Sequence, residues 1–271
     1  MRTINNTFIN DLKTGELKFF LEQVQQNRDE LSLEIRNGYI NIYYRGGNLL
    51  KITQKKKGYS FHFDEKYCLN KDNESNYELL KSLPSGDTES FIKYFDTMKQ
   101  EMDSWFEKHP KAERDFQHAL LVNNPCIVDI EYQVGRKLRL DMLMFVDGRL
   151  IIVENKYGTG AIGGKSGIKE HYDDICNILA TPELYEEMLG SVCHISAAKK
   201  ELGLRNYEIK RSDIKDTEIL FLFADYNSKS ESLKNAIETI TKTVPASILM
   251  MASTEHIIDT SKAEDLFTYE N

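Results

Sequence analysis

The sequence predicts an α/β core built on a mixed central sheet, preceded by a small α+β domain that carries an antiparallel meander. Three observations lead there. Residues 138–156, LRLDMLMFVDGRLIIVENK, form two alternating runs around Asp147-Gly148, the strongest short-range signal for a two-residue hairpin. A helical stretch, GIKEHYDDICNIL, and an apolar strand over 219–224 come after it, the order of a crossover to a parallel strand. Upstream, residues 31–63 alternate with period two in short runs separated by turn residues.

The chain has 271 residues, 41% of them hydrophobic, enough for one large core or two smaller ones. A net charge of −8 argues against a surface coated for nonspecific nucleic-acid binding, so any such surface is local. The start, MRTINNTFIN, lacks a charged segment followed by an apolar one, and no run approaches the roughly 18 apolar residues of a membrane helix. A soluble, cytoplasmic protein without a membrane partner is expected. Cys68, Cys126, Cys176 and Cys193 show no CxxC spacing, and they read as buried free thiols rather than a zinc site or a disulfide framework.

Residues 1–87 make the first expected domain. Leu17, Phe20, Leu21 and Val24 share one helical face within 14–27. The period then changes. Leu31, Leu33 and Ile35 alternate with polar residues, Asn37-Gly38 turns the chain, and strands continue over 39–45, 49–53 and 59–63. From Arg36 to Phe63 no acid interrupts Arg36, Arg45, Lys51, Lys55, Lys56 and Lys57, with Tyr39, Tyr43, Tyr44, Tyr59 and Phe61 interleaved. Such a sheet can follow a phosphate backbone and stack bases. It can equally pack its tyrosines on the first helix and protect its edges with lysines, the favoured alternative. Residues 64–87 are polar and turn-rich and read as the connection onward.

The second expected domain covers 88–271. An amphipathic helix over 88–107 carries Phe91, Phe95, Met98, Met102 and Trp105. Pro110 ends it and opens another, KAERDFQHALL, with Phe116 and Leu120 apolar and Glu113 and Gln117 on a second stripe. Residues 127–134 form a strand. With Gly135, Arg136 and Lys137 as its loop, Glu131 lies opposite Asp141, as an extra metal ligand or as the partner of Arg139.

The hairpin sets the chemistry. If Val146 faces Arg149, then Asp141 faces Glu154 and Arg139 faces Lys156, all on one face. Leu140, Met142, Met144, Val146, Ile151 and Val153 make the reverse face apolar, so both faces should be covered. Opposed carboxylates with Cβ atoms roughly 4.5–5.5 Å apart repel unless neutralised. Mg²⁺ takes oxygen ligands from one or two carboxylates, so Asp141, Glu154 and the carbonyl of Asn155 are candidate ligands. Lys156 could orient or deprotonate an attacking water, or steady charge on phosphorus. The alternative is a structural ion cluster in which Arg139 and Lys156 pair the two acids.

Asp141, a twelve-residue gap and Glu154-Asn155-Lys156 at the end of an apolar strand resemble the D-x(n)-E-x-K signature of the PD-(D/E)XK nuclease superfamily. The resemblance covers roughly residues 111–225 and stops short of the N-terminal third. It implies a restriction-endonuclease-like αβββαβ core in which Asp141 and Glu154 bind Mg²⁺, with Mn²⁺ as a substitute, and Lys156 assists phosphodiester hydrolysis. It further implies that Glu113, on the first core helix, leans over the metal site; the alternative is a first-turn glutamate that stabilises the helix N-terminus. Leu140 stands where the name-giving proline would be, a position the family often varies. By the same analogy the substrate is nucleic acid, DNA ahead of RNA, in bacterial defence or DNA processing, and a homodimer would cut two strands with two sites. The rival from another class is a noncatalytic nucleic-acid-binding or assembly module on a nuclease-like fold.

After Lys156, GTGAIGGKSG is glycine-rich and ends in Gly-Lys-Ser like a phosphate-binding P-loop, with Asp225 at the end of a later strand. The spacing fails, because position 159 is Thr and Gly158 and Gly160 are each one residue off. An NTPase is therefore set behind the nuclease. The next helix buries Ile168, Tyr172, Ile175 and Leu179, and its start could offer Lys165 and Lys169 to a substrate phosphate. His171 could carry a proton, although a solvated surface position is the favoured reading. Short helices around 184–189 and 195–202, a helix with Leu233, Ile237 and Ile240, a strand over 247–251 and a polar tail complete the chain.

Overall fold

The computed structural model describes residues 1–68, 80, 88–134, 138–158, 162–163, 167–227 and 230–269. The protein is mixed α/β, with one four-stranded antiparallel sheet and one six-stranded mixed sheet. It divides into two compact units, one of residues 2–115 and 194–208, the other of residues 1, 116–193 and 209–271. The expected boundary at residue 87 falls outside the described residues, and 88–115 groups with the N-terminal sheet.

In the first unit, α1 (Asn6–Lys13) and α2 (Lys18–Gln26) precede β1 (Leu31–Ile35), β2 (Tyr39–Tyr44), β3 (Gly47–Gln54) and β4 (Tyr59–His62), paired in that order. The pattern over 14–27 leaves α1 out. Its start is fixed locally, because the Asn5 side chain accepts the Phe8 N–H and caps the first turn. Asn37-Gly38 turns the chain as expected, with the Arg36 N–H donating to the Tyr39 carbonyl. Arg45-Gly46 makes a second two-residue turn, both residues at positive φ.

One face of this sheet is apolar. Leu33, Ile35, Ile40, Ile42, Leu50 and Ile52 are buried there. Tyr59 packs on Phe8 and Phe61 on Phe91, each pair with ring centroids 4.9 Å apart. Tyr43 and Tyr44 are buried too, and of the five aromatics only Tyr39 is half-exposed. These rings are core residues of the unit rather than an open stacking platform. The helix expected over 88–107 is broken at Tyr94 into α3 (Thr88–Lys93) and α4 (Phe95–Lys108).

In the second unit, α5 (Ala112–Asn123), within which the division falls, leads into β5 (Ile127–Val134), β6 (Leu138–Val146) and β7 (Arg149–Tyr157), paired antiparallel. The chain crosses over through α6 (Ile168–Ala180) and α7 (Pro182–Glu201), whose last turns, from His194, group with the first unit, to β8 (Asp216–Ala224), which lies parallel to β7. Then α8 (Glu231–Glu238), β9 (Ala246–Met251) and β10 (Glu264–Asp265) give the sheet order β10-β9-β8-β7-β6-β5. β7 and β8 are interior, which explains their near-continuous apolar runs.

Several details depart from expectation. α7 is one 20-residue helix where two short ones were read, and the polar tail supplies β10 and the buried Leu266. α6 buries Ile178 in place of Leu179. Its Tyr172 hydroxyl donates to the Val244 carbonyl at 2.6 Å and accepts the Val244 and Thr243 N–H groups at 2.7 and 3.2 Å, pinning the helix to the approach to β9. All four cysteines are free, but only Cys68 is buried. Among the described residues no helix is long and apolar enough to cross a membrane.

Candidate functional site

Asp147 and Gly148 both sit at positive φ, 50° and 82°, the two-residue turn whose twist matches antiparallel strands. Pairing then runs from Val146↔Arg149 to Met142↔Val153, as the sequence requires. The next facing positions are Asp141 and Glu154, and there the backbone ladder stops. Side chains take over: the Asn155 N–H donates to Asp141 Oδ2 at 2.9 Å, and the Asp141 N–H to Glu154 Oε1 at 3.4 Å. The strands fork at the point where the acids begin.

Because β7 is interior, its end carries charge into the core. Glu154 is 0% exposed and Lys156 3%. Lys156 Nζ lies 3.9 Å from Glu154 Oε2, and His171 Nδ1, reaching over from α6, hydrogen-bonds the same oxygen. Burial, and next to it the charge of Glu154, push the Asp141 carboxyl up to about 7, while the Asn155 amide, Lys156 and His171 pull it back. One turn beyond His171, burial also raises the Asp174 carboxyl, opposed by the imidazole and reinforced by Glu170, Glu154 and Asp173.

The structure thus brings together Asp141, Glu154, Lys156 and His171. The last corrects the solvated reading of that helix position. A signal was present, since 171 falls among Ile168, Tyr172 and Ile175 at the i, i+3, i+4, i+7 spacing of a buried stripe. Asn155 is buried, and its side-chain Oδ1 has no partner among the described residues. Glu131 pairs with Arg139 at 3.6 Å, the second of the two roles foreseen for it, and holds φ at 50°, an uncommon conformation for a residue with a Cβ.

Glu113 is exposed in the first turn of α5 and belongs to the first unit; Gln117, further along, is half-buried in the second. Lys169 is exposed and pairs with Asp173 on its own helix. Lys165 lies outside the described residues, as does most of the glycine-rich segment. Asp225 is exposed just past β8.

The donor set suits a hard divalent cation. Two carboxylates crowd at one fork, the pKa of one raised first by burial and then by the other, and Mg²⁺ is commonly held by one or two carboxylates with waters and substrate phosphate. Among the described residues no three His, Cys, Asp or Glu side chains converge as a ready-made cage, which a Mg²⁺ site of this kind does not require. Comparison with protein-family models, curated proteins and solved structures finds no match.

Proposed function

We propose that the protein is a metal-dependent nuclease with a restriction-endonuclease-like core, hydrolysing phosphodiester bonds of nucleic acid, DNA ahead of RNA. The observation that carries this reading is the fork itself, with Asp141 and Glu154 facing each other where β6 and β7 part and Lys156 buried two residues beyond. The element order, helix, three antiparallel strands, crossover helices and a parallel strand, supports the fold assignment.

In this proposal Asp141 and Glu154 hold Mg²⁺, with the Asn155 carbonyl as a third oxygen. The ion, when bound, acts as a Lewis acid and lowers the pKa of water. Lys156 is confined by burial to the neighbourhood of the acids, where its ammonium can orient the attacking water or offset charge that develops on phosphorus. The acids are desolvated before substrate arrives, so little reorganisation is left for the chemical step.

One observation favours a noncatalytic module instead: Lys156, His171 and the Asn155 amide already compensate part of the acidic charge. Cleavage assays on duplex DNA, single-stranded DNA and RNA with Mg²⁺ or Mn²⁺ decide between the two. The nuclease reading expects cleavage by the wild type and a loss of about 100-fold or more in both Glu154→Ala and Lys156→Ala. Nucleic-acid binding with no cleavage under either metal, unaffected by Glu154→Ala, would establish the binding module.

A further inference from the structure

We propose that His171 is the positioning residue for the metal-binding carboxylate, holding Glu154 through its Nδ1–H so that the other carboxylate oxygen is presented at the fork. The inference rests on the metal-site reading above and assigns to α6 a part in that site.

The two oxygens of Glu154 are distinguished by their surroundings. Oε2 faces His171 Nδ1 and, at 3.9 Å, the Lys156 ammonium. Oε1 faces the backbone N–H of Asp141 at 3.4 Å, on the side where the second carboxylate stands. A carboxylate that ligates a metal accepts hydrogen bonds, so in this proposal the hydrogen bond between Glu154 and His171 is donated by the imidazole Nδ1–H. Which carboxylate oxygen of a glutamate faces the fork is set by its third, soft χ angle, and a donor on a separate, well-anchored element removes that freedom. α6 is such an element. Ile168, Tyr172 and Ile175 are fully buried on the stripe that carries His171, and the Tyr172 hydroxyl makes three backbone hydrogen bonds next to it. Asp174 follows one turn later on the same helix, where burial raises its pKa and the imidazole opposes that rise. Carboxylate ligands are commonly held this way, and removing such a support costs about 10–100-fold in metal affinity.

The test measures Mn²⁺ binding to the full chain by electron paramagnetic resonance, without substrate, for wild type, Glu154→Ala, His171→Ala and His171→Asn. Asparagine places its amide nitrogen where histidine has Nδ1, so it can replace the donor without the ring. The expected result is no specific binding in Glu154→Ala, affinity about 10–100-fold weaker in His171→Ala and close to wild type in His171→Asn. Wild-type affinity in His171→Ala, with binding still lost in Glu154→Ala, overturns the role of His171 and leaves the metal site standing. Unchanged binding in Glu154→Ala overturns the metal site, and the role of His171 with it. Equal loss in the alanine and asparagine variants, both with wild-type circular dichroism, overturns donation from Nδ1. Should His171→Ala not fold, the imidazole ¹⁵N shifts of the wild type decide, and an unprotonated Nδ1 at pH 7.5 overturns the assignment.

Discussion

Replacing Asp141 by asparagine should make the protein more stable while removing a ligand of the proposed metal site. The side chain keeps its length, and the new carboxamide oxygen can still accept the Asn155 N–H that Asp141 Oδ2 takes at 2.9 Å. What disappears is a charge that burial and Glu154 both oppose. An ordinary aspartate titrates near 3.8, and here the carboxyl is pushed to about 7. Between those values the folded chain holds the proton more tightly than the unfolded one, so wild-type stability falls as pH rises from about 4 to about 7. At about 1.4 kcal/mol per pH unit, the ceiling is about 4 kcal/mol. Proton sharing with Glu154 and partial access of water reduce the expected gain for Asp141→Asn to about 1–2 kcal/mol at pH 8. Urea unfolding followed by circular dichroism, with EDTA present, measures it at pH 5 and pH 8. The variant should gain more at pH 8 than at pH 5, and added Mg²⁺ should stabilise the wild type alone. Equal or lower stability of Asp141→Asn at pH 8, or a gap that narrows as pH rises, would refute the argument that the acids strain this fold.

Other perturbations test the frame around the site. Tyr172→Phe leaves the Thr243 and Val244 N–H groups and the Val244 carbonyl without the hydroxyl, a loss of about 1–3 kcal/mol measurable as a lower denaturation midpoint. At Gly47 an added Cβ would lie 2.6 Å from the Met102 Cε and 2.8 Å from the Phe106 ring, so Gly47→Ala should destabilise the first unit by about 1–3 kcal/mol through overpacking. Lys199 and Glu34 form a buried ion pair at 2.8 Å within that unit. Lys199→Met alone should cost about 3–5 kcal/mol by taking a cation away from a buried acid, and adding Glu34→Leu should recover most of it, as a double-mutant cycle in urea would show.

What could be read from the residues follows the range of the interaction concerned. The Asp147-Gly148 turn is a local matter of two positive φ angles, and once it is known, period two carries the register six residues back from Asp147 to Asp141 and six onward from Gly148 to Glu154. The meander was legible for the same reason at Asn37-Gly38, and Arg45-Gly46 went unread because arginine is not a habitual turn residue. Rotation of α6 about its axis is a tertiary matter. The apolar stripe gave its buried side, but only packing against the sheet decided that Ile178 enters the core and that His171 meets Glu154. The break at Tyr94 and the unbroken run of α7 through Gly190 likewise depend on packing that propensity does not record.

The fork between β6 and β7 makes one backbone proton an indicator of the site. Along the paired stretch of this hairpin the ladder amides answer to carbonyls, whose charge never changes, whereas at the fork the Asn155 amide answers to the Asp141 carboxylate at 2.9 Å and the Asp141 amide, at 3.4 Å, to that of Glu154. The Asn155 proton resonance should therefore move as the Asp141 carboxylate gains a proton or a cation, and its solvent exchange should quicken when the acid is neutralised. A single crosspeak, followed through a pH series or a Mg²⁺ titration, would report the state of the acidic pair without substrate or mutation.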